Sequence, residues 1–226
     1  TLFPYTTLFR SVLPVAEINA RLKDRYKILT GGARVLQERQ QTLRALVDWS
    51  YDLLDAREQS ALARLGIFVG GFDLDAAEQV CGADPLAPED MLDLLASLVE
   101  KSLVMLDEHD DVGRYRMLET IRDYASEKLA QSGELDAVAL RHCDYYFARA
   151  KEVRKGMLGP EQATWIRRME TDLDNLRAAT ALALSGSTDA FIAVKIAVAM
   201  QAFWILRGYA GEGRRVIRDA LALPAI

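Results

Sequence analysis

Few residues in this chain can do chemistry, and their spacing suits little of it. The two cysteines, Cys81 and Cys143, lie far apart with no Cys-x-x-Cys pair, so reduced thiols fit better than a disulfide framework. His109 and His142 are the only histidines, too few for a metal centre. His142 and its neighbour Cys143 would diverge by about 100° on a helix instead of converging on one ion. Glu119 and Asp123 could act as acid–base carboxylates, yet acids four apart on an amphipathic helix usually form a solvated face. There is no Gly-x-Ser-x-Gly elbow and no GxxxxGK[ST] phosphate loop; Gly31-Gly32 and Gly70-Gly71 read as helix stops. Catalysis, a metal and a cofactor bound by this chain alone are not expected. Arg116 and Arg122 could meet a phosphate through their guanidinium forks, with surface or interdomain arginines as the simpler account. Trp165, Phe203, Trp204 and Tyr209 could line a ligand groove, or fill seams between helices. Arg214, Arg215 and Arg218 could meet an acidic partner, or form a solvated outer face.

The elements that must position these residues are mostly helical. Val15–Leu29 puts Ile18, Leu22, Tyr26 and Leu29 on one face before Gly31-Gly32. From Thr42 the apolar positions Leu43, Leu46, Val47, Trp49 and Leu53–Leu54 continue a helical pattern. Ala56–Phe68 is expected as a helix with Leu62, Leu65 and Phe68 inward. Asp73 can cap Leu74–Cys81, which Gly82 closes. Pro88 suits the first turn of a helix, with Glu89 and Asp90 beside it and Met91, Leu92, Leu95, Leu98 and Val99 as its core face. The period then changes: Ser102–Asp107 and Arg114–Leu118 read as strands flanking the turn Glu108–Gly113. Thr120 is placed to cap a helix with Ile121, Ala125 and Leu129 inward, ending at Ser132-Gly133. Three helices, a hairpin and a closing helix make a winged helix-turn-helix.

Beyond Gly133 the pattern is helical throughout. Glu134–Val153 carries Leu140, Tyr145, Tyr146 and Phe147; Pro160 opens a segment with Trp165, Ile166, Met169, Leu173 and Leu176. Asp189–Leu206 is apolar all round and Gly211–Leu223 follows. Short turns between such segments predict an α-solenoid of helical hairpins. The last pair partly matches the tetratricopeptide pattern. Gly208, Gly213, Ile217 and Ala220 take its small, small, large and small places, and Trp204 its aromatic one. Pro224 falls one residue early, and Ala197 and Gln201 stand where the pattern has Trp and Gly.

Half of the 226 residues are apolar and about a quarter charged, a soluble globular balance. No apolar run approaches the roughly 18 residues of a membrane span, and no signal peptide is visible, so a cytoplasmic protein is expected. The net charge is −5, split between residues 1–133 (15 basic, 22 acidic) and 134–226 (13 basic, 11 acidic). Neither half is a basic module. Thr1–Ser11, TLFPYTTLFRS, reads like a translated sequencing adapter and is set aside; a domain upstream of the cut is then expected.

Gln41–Leu54 (QTLRALVDWSYDLL), the order of Leu65–Val112 with LASLVEKSLV before the wing, and Arg114–Ala125 (RYRMLETIRDYA) together resemble one family. It is the STAND, or NB-ARC-like, regulatory ATPases, including modules of AfsR/SARP- and LuxR-type transcriptional regulators. The likeness runs from about Pro14 to the end and includes Glu212–Leu223. It implies a remnant ATPase helix at 12–34, a winged-helix regulatory domain at 35–133 and an incomplete tetratricopeptide-like region at 134–226. It implies ATP or ADP for the full-length protein, an ATPase, bound by a domain outside this chain. An inducer or protein would bind the helical array, and the full protein could self-associate. Arg116, Met117, Leu118, Glu119 and Arg122 would sit at the nucleotide-sensing or interdomain contact, with Trp49 and Tyr51 at the hinge. Leu118 stands where the family's Met-His-Asp motif has its histidine, and leucine can neither donate a hydrogen bond nor carry charge. The latch is absent in that form.

A winged helix also invites DNA binding, the alternative to a nucleotide-coupled regulator, alongside a free-standing helical-repeat adaptor. Its recognition helix, Pro88–Lys101, holds Glu89, Asp90, Asp93 and Glu100 against Lys101, and Glu108, Asp110 and Asp111 occupy the wing. Such a face lacks the counterion release that drives duplex binding. Direct DNA binding through this helix is therefore not expected.

Overall fold

The computed structural model describes residues 44–107, 113–157, 159–185 and 190–222. Two compact units meet at the Asp52–Leu53 boundary; residues 44–52, in the first, are helical. The expected Val15–Leu29 helix, the wing turn and Pro224 lie outside the described residues. All elements named below belong to the second unit, Leu53–Ile226.

Helix α1 spans Ala56–Leu65. Asp55 accepts from the amides of Arg57 and Glu58, and Glu58 reaches back to the Asp55 amide, a reciprocal cap that satisfies otherwise orphaned donors. The helix ends three residues before Phe68, because Gly66 lies against a later helix; a Cβ there would sit 2.6 Å from the Ser126 nitrogen. Helix α2, Leu74–Cys81, is capped by Asp73 through the Ala76 amide and closed by Gly82, as its sequence predicts. A 3-10 turn, Pro88–Asp90, leads into α3, Met91–Glu100. The buried stripe of α3 is Met91, Leu94, Leu95 and Leu98. The expectation for Leu92 is corrected: it is 50% exposed, because the three-then-one spacing from Met91 selects Leu94 and Leu95 and turns Leu92 outward.

Strands β1, Met105–Asp107, and β2, Arg114–Arg116, pair antiparallel with Leu106 opposite Tyr115. β1 begins three residues later than expected and β2 ends two residues earlier. Phe72 adds a third, single-residue strand by exchanging both backbone bonds with Tyr115, at 2.9 and 2.7 Å. Gly71 before it takes a φ of 131°, which side-chain-bearing residues avoid. Helix α4, Glu119–Ser132, follows, with Ile121, Tyr124, Ala125 and Leu129 inward. Its N-cap is Leu118, without a side-chain bond, so Thr120 does not cap it but lies in its first turn.

Four helices complete the unit: α5 Leu135–Gly156, α6 Gln162–Leu184, α7 Ala190–Arg207 and α8 Ala210–Leu221. They pack as antiparallel hairpins on one another. Helix α7, apolar all round, is not wholly covered among the described residues: Phe191, Val198 and Ile205 are exposed, while Ile192, Ile196, Met200 and Phe203 are buried.

The winged helix and the array share one core. Phe68 stacks on Phe72 at 4.5 Å and meets His142 and Tyr146 of α5. Asn175 of α6 accepts from the Val69 amide and donates to the Gly71 carbonyl, both at 2.7 Å, so an array side chain completes the turn before the Phe72 strand. Asp172 of α6 receives Arg114 of β2 at 3.1 Å and Arg149 of α5 at 3.4 Å, and Arg149 also reaches Asp73 at 3.1 Å. Arg64 of α1 is almost fully buried, yet every nitrogen has a partner. It donates to the carbonyls of Cys81, Ala83 and Asp84 and, fork to fork, to Glu134 at the head of α5.

Candidate functional site

Three surfaces gather the residues that sequence singles out. The first is the outward side of α3, where a winged helix-turn-helix presents its recognition helix. Glu89, Leu92, Asp93, Ala96 and Glu100 are exposed there. Lys101, at the end of the helix, is held by Glu58. Burial raises the Glu58 carboxyl, but hydrogen bonds from Lys101, Ser97 and the Asp55 amide outweigh it and bring the pKa to about 2. Asp90 is taken up by Arg57. What remains outward is apolar and acidic.

The second surface is the start of α4. The chain runs from β2 through Met117 and Leu118 into Glu119, so Arg116, Met117, Leu118, Glu119 and Arg122 come together. Leu118 is 54% exposed. Arg116 is 3.5 Å from Asp107 and Arg122 is 2.7 Å from Asp123, so each guanidinium already has a carboxylate. Trp49 and Tyr51 lie in the other compact unit, Trp49 largely exposed.

The third is a cleft of about 200 Å³ between α6, α7 and α8. Leu176, Leu184, Met200 and Trp204 supply its apolar wall, with Arg215 and Asp219 at the rim. Arg177 spans from α6 to Glu212 of α8 by two 2.8 Å bonds. Trp204 fits because Gly213 has no side chain; a Cβ there would run into the indole. Tyr209 stands at the Arg177 end, its ring 5.7 Å from that guanidinium. Arg214 faces away beside Ile217 and Leu221. Trp165 is not in the cleft; it closes over Gly156, with Arg168 stacked on it at 4.5 Å. Trp165, Trp204, Tyr209, Arg214 and Arg215 thus fall in different places, with Arg218 beside Arg214 and Phe203 buried.

Sequence reasoning overlooked the polar pins Arg64, Asn175 and Arg149, whose partners are distant in the chain and leave no local signal. It also overlooked His142 as a core residue. Neither ring nitrogen of His142 has a hydrogen-bond partner. Burial pushes its pKa down to about 4; the nearby Asn175 side chain, whose amide is turned to Val69 and Gly71, opposes that shift without bonding the ring. Among the described residues no three His, Cys, Asp or Glu converge as metal ligands, and no described helix is long and apolar enough to cross a membrane.

Residues 54–130 match the winged helix-turn-helix domain family, a span from just before α1 to near the end of α4. A Mycobacterium tuberculosis protein provisionally named an HTH-type transcriptional regulator is 44% identical over 206 residues, 90% of this chain and 23% of that protein. Its Mycobacterium bovis counterpart aligns equally well. An uncharacterized M. tuberculosis protein is 39% identical over 148 residues, 65% of this chain and 38% of its own length. The chain thus spans about a quarter of the regulators it matches. No solved structure matches it.

Proposed function

We propose that this chain is the winged-helix and helical-array section of an HTH-type transcriptional regulator. The observation that carries the reading is a winged helix-turn-helix whose described residues supply α1, the Phe72 strand, α2, α3 and the β1–β2 pair. It stands in a chain 44% identical to provisionally named regulators. No catalytic step is assigned to it, and a cytoplasmic placement goes with this reading. The test is transcript profiling of cells with and without the gene that encodes the chain. A discrete set of transcripts should change, and an unchanged profile would overturn the proposal.

The relatives support the regulator part of the sequence expectation better than its nucleotide-coupled part. Their names bring DNA binding into view, which the α3 sequence argues against for this helix. A second reading is favoured by the apolar and acidic outer face of α3: the winged helix meets protein, as a moving part set by another domain. ATP or ADP in that domain is supported only by the residue pattern at Ser50–Leu54 and Arg116–Ala125. Leu92→Glu separates the two roles. If α3 reads DNA, the change weakens duplex binding by the purified chain; if α3 meets protein, it alters the transcript profile and leaves duplex binding intact.

A further inference from the structure

We propose that the end of the α5–α6 hairpin is where this chain meets the sugar–phosphate backbone of duplex DNA. The inference rests on the regulator reading and adds to it the place of contact.

Residues 151–168 carry Lys151, Arg154, Lys155, Arg167 and Arg168 against Glu152 and Glu161. All five cations are exposed, and none has a carboxylate within ion-pair distance among the described residues. Elsewhere in the unit the arginines are mostly engaged: Arg57, Arg64, Arg114, Arg149 and Arg177 all hold acids. Outside this hairpin end, only Arg141, Arg214 and Arg215 among the unit's described arginines lack a carboxylate within ion-pair distance, so unneutralised positive charge is densest here. The last turn of α5 and the first turns of α6 are held together by Trp165 lying on Gly156 and by Gln162 donating to the Met157 carbonyl at 3.2 Å. Lys151 stands about one helical turn from Arg154 and from Lys155, at spacings of three and four.

Two of the five, Arg154 and Lys155, also suit the negative end of the α5 dipole. That accounts for neither Lys151 nor the pair on α6. Polyanion binding draws on cations that are free to release a phosphate's counterions, and this hairpin end supplies them where α3 does not. Duplex is favoured over an anionic membrane because the described residues of this surface offer nothing to insert. Between 141 and 185 no large apolar side chain among the described residues is exposed, Trp165 being covered by Arg168 and Phe147 lying beneath Lys151. Interfacial binding needs an apolar face.

The test is fluorescence anisotropy of a labelled mixed-sequence duplex with the 226-residue chain, between roughly 50 and 200 mM salt. Each cation on a phosphate should contribute about 0.9 to the slope of log affinity against log salt. Lys151→Ala/Arg154→Ala/Lys155→Ala should flatten the slope by about 2.7 and weaken binding at least about tenfold at the low-salt end. Arg167→Ala, on the other helix, should flatten it by about 0.9. Thermal melting of each variant checks that the fold is intact. Unchanged affinity and slope in a folded triple variant overturns the inference. If Leu92→Glu weakens binding and the triple variant does not, α3 is the contact; the inference falls and the regulator reading stands. Retention on phosphatidylserine vesicles with none on duplex overturns it as well, and transcript profiling judges the regulator reading separately.

Discussion

Arg64 and His142 are both buried and polar, and they behave in opposite ways. Arg64 is satisfied on every nitrogen, so its removal leaves Glu134 unpaired and three carbonyls without donors. Arg64→Ala should cost about 3–5 kcal/mol, read as a lower urea midpoint. Arg64→Lys should not restore it, because an ammonium cannot make the fork. His142 is held neutral, with a folded pKa of about 4 against about 6.5 when unfolded. Between those values the unfolded chain binds the extra proton. Stability should therefore be level above pH 6.5 and fall by about 1.4 kcal/mol per pH unit down to 4. Glu58, at about 2, acts in the same direction in a lower window: its contribution is lost only as pH falls through the ordinary carboxylate range towards 2. His142→Phe, which keeps the ring against Phe68 and Tyr146, should flatten the upper window alone. An unaltered profile would show that some other group titrates there.

At the scale of elements, a helix was legible where a three-to-four spacing and a cap coincided, as at Asp73. Leu92 was misplaced because five apolar residues lie within Met91–Val99 alongside Leu94, and periodicity alone does not choose between adjacent stripes. The Phe72 strand was invisible for a simpler reason. It is one residue long, held by Tyr115 and set up by Gly71, and has no period of its own. The α4 start was misjudged because a threonine near a helix end need not face the first free amides. Among the candidate surfaces, sequence located the Leu118 cluster as contiguous residues, whereas the cleft mixes three helices and was only partly anticipated. Gly213 is the tightest point of that cleft. Gly213→Val should drive α8 off Trp204, lowering stability by about 1–3 kcal/mol and red-shifting tryptophan emission as the indole meets water. Melting unchanged from wild type would mean that the two helices pack otherwise.

For the molecule as a whole, the boundary between winged helix and array is not a linker. Asn175, Asp172, Arg149 and Arg64 tie the two across the chain, and Phe68, Phe72 and Tyr146 fill the seam. Leu53–Ile226 should therefore unfold in a single transition, with far-ultraviolet dichroism and tryptophan fluorescence giving the same midpoint. Two separated transitions would mean that the seam is weaker than its contacts imply.

Asn175, which completes the turn ahead of the Phe72 strand, is followed directly in α6 by Leu176, which walls the cleft. One peptide unit therefore separates the wall of the cleft from the sheet that carries the wing. A rotation of α6 by even a few degrees would pull on both, like a rocker with a short arm on each side. Asn175→Ala would remove both bonds to that turn while leaving Leu176 in the cleft wall, so movement of α6 at the cleft would no longer be passed to the Phe72 strand through this side chain.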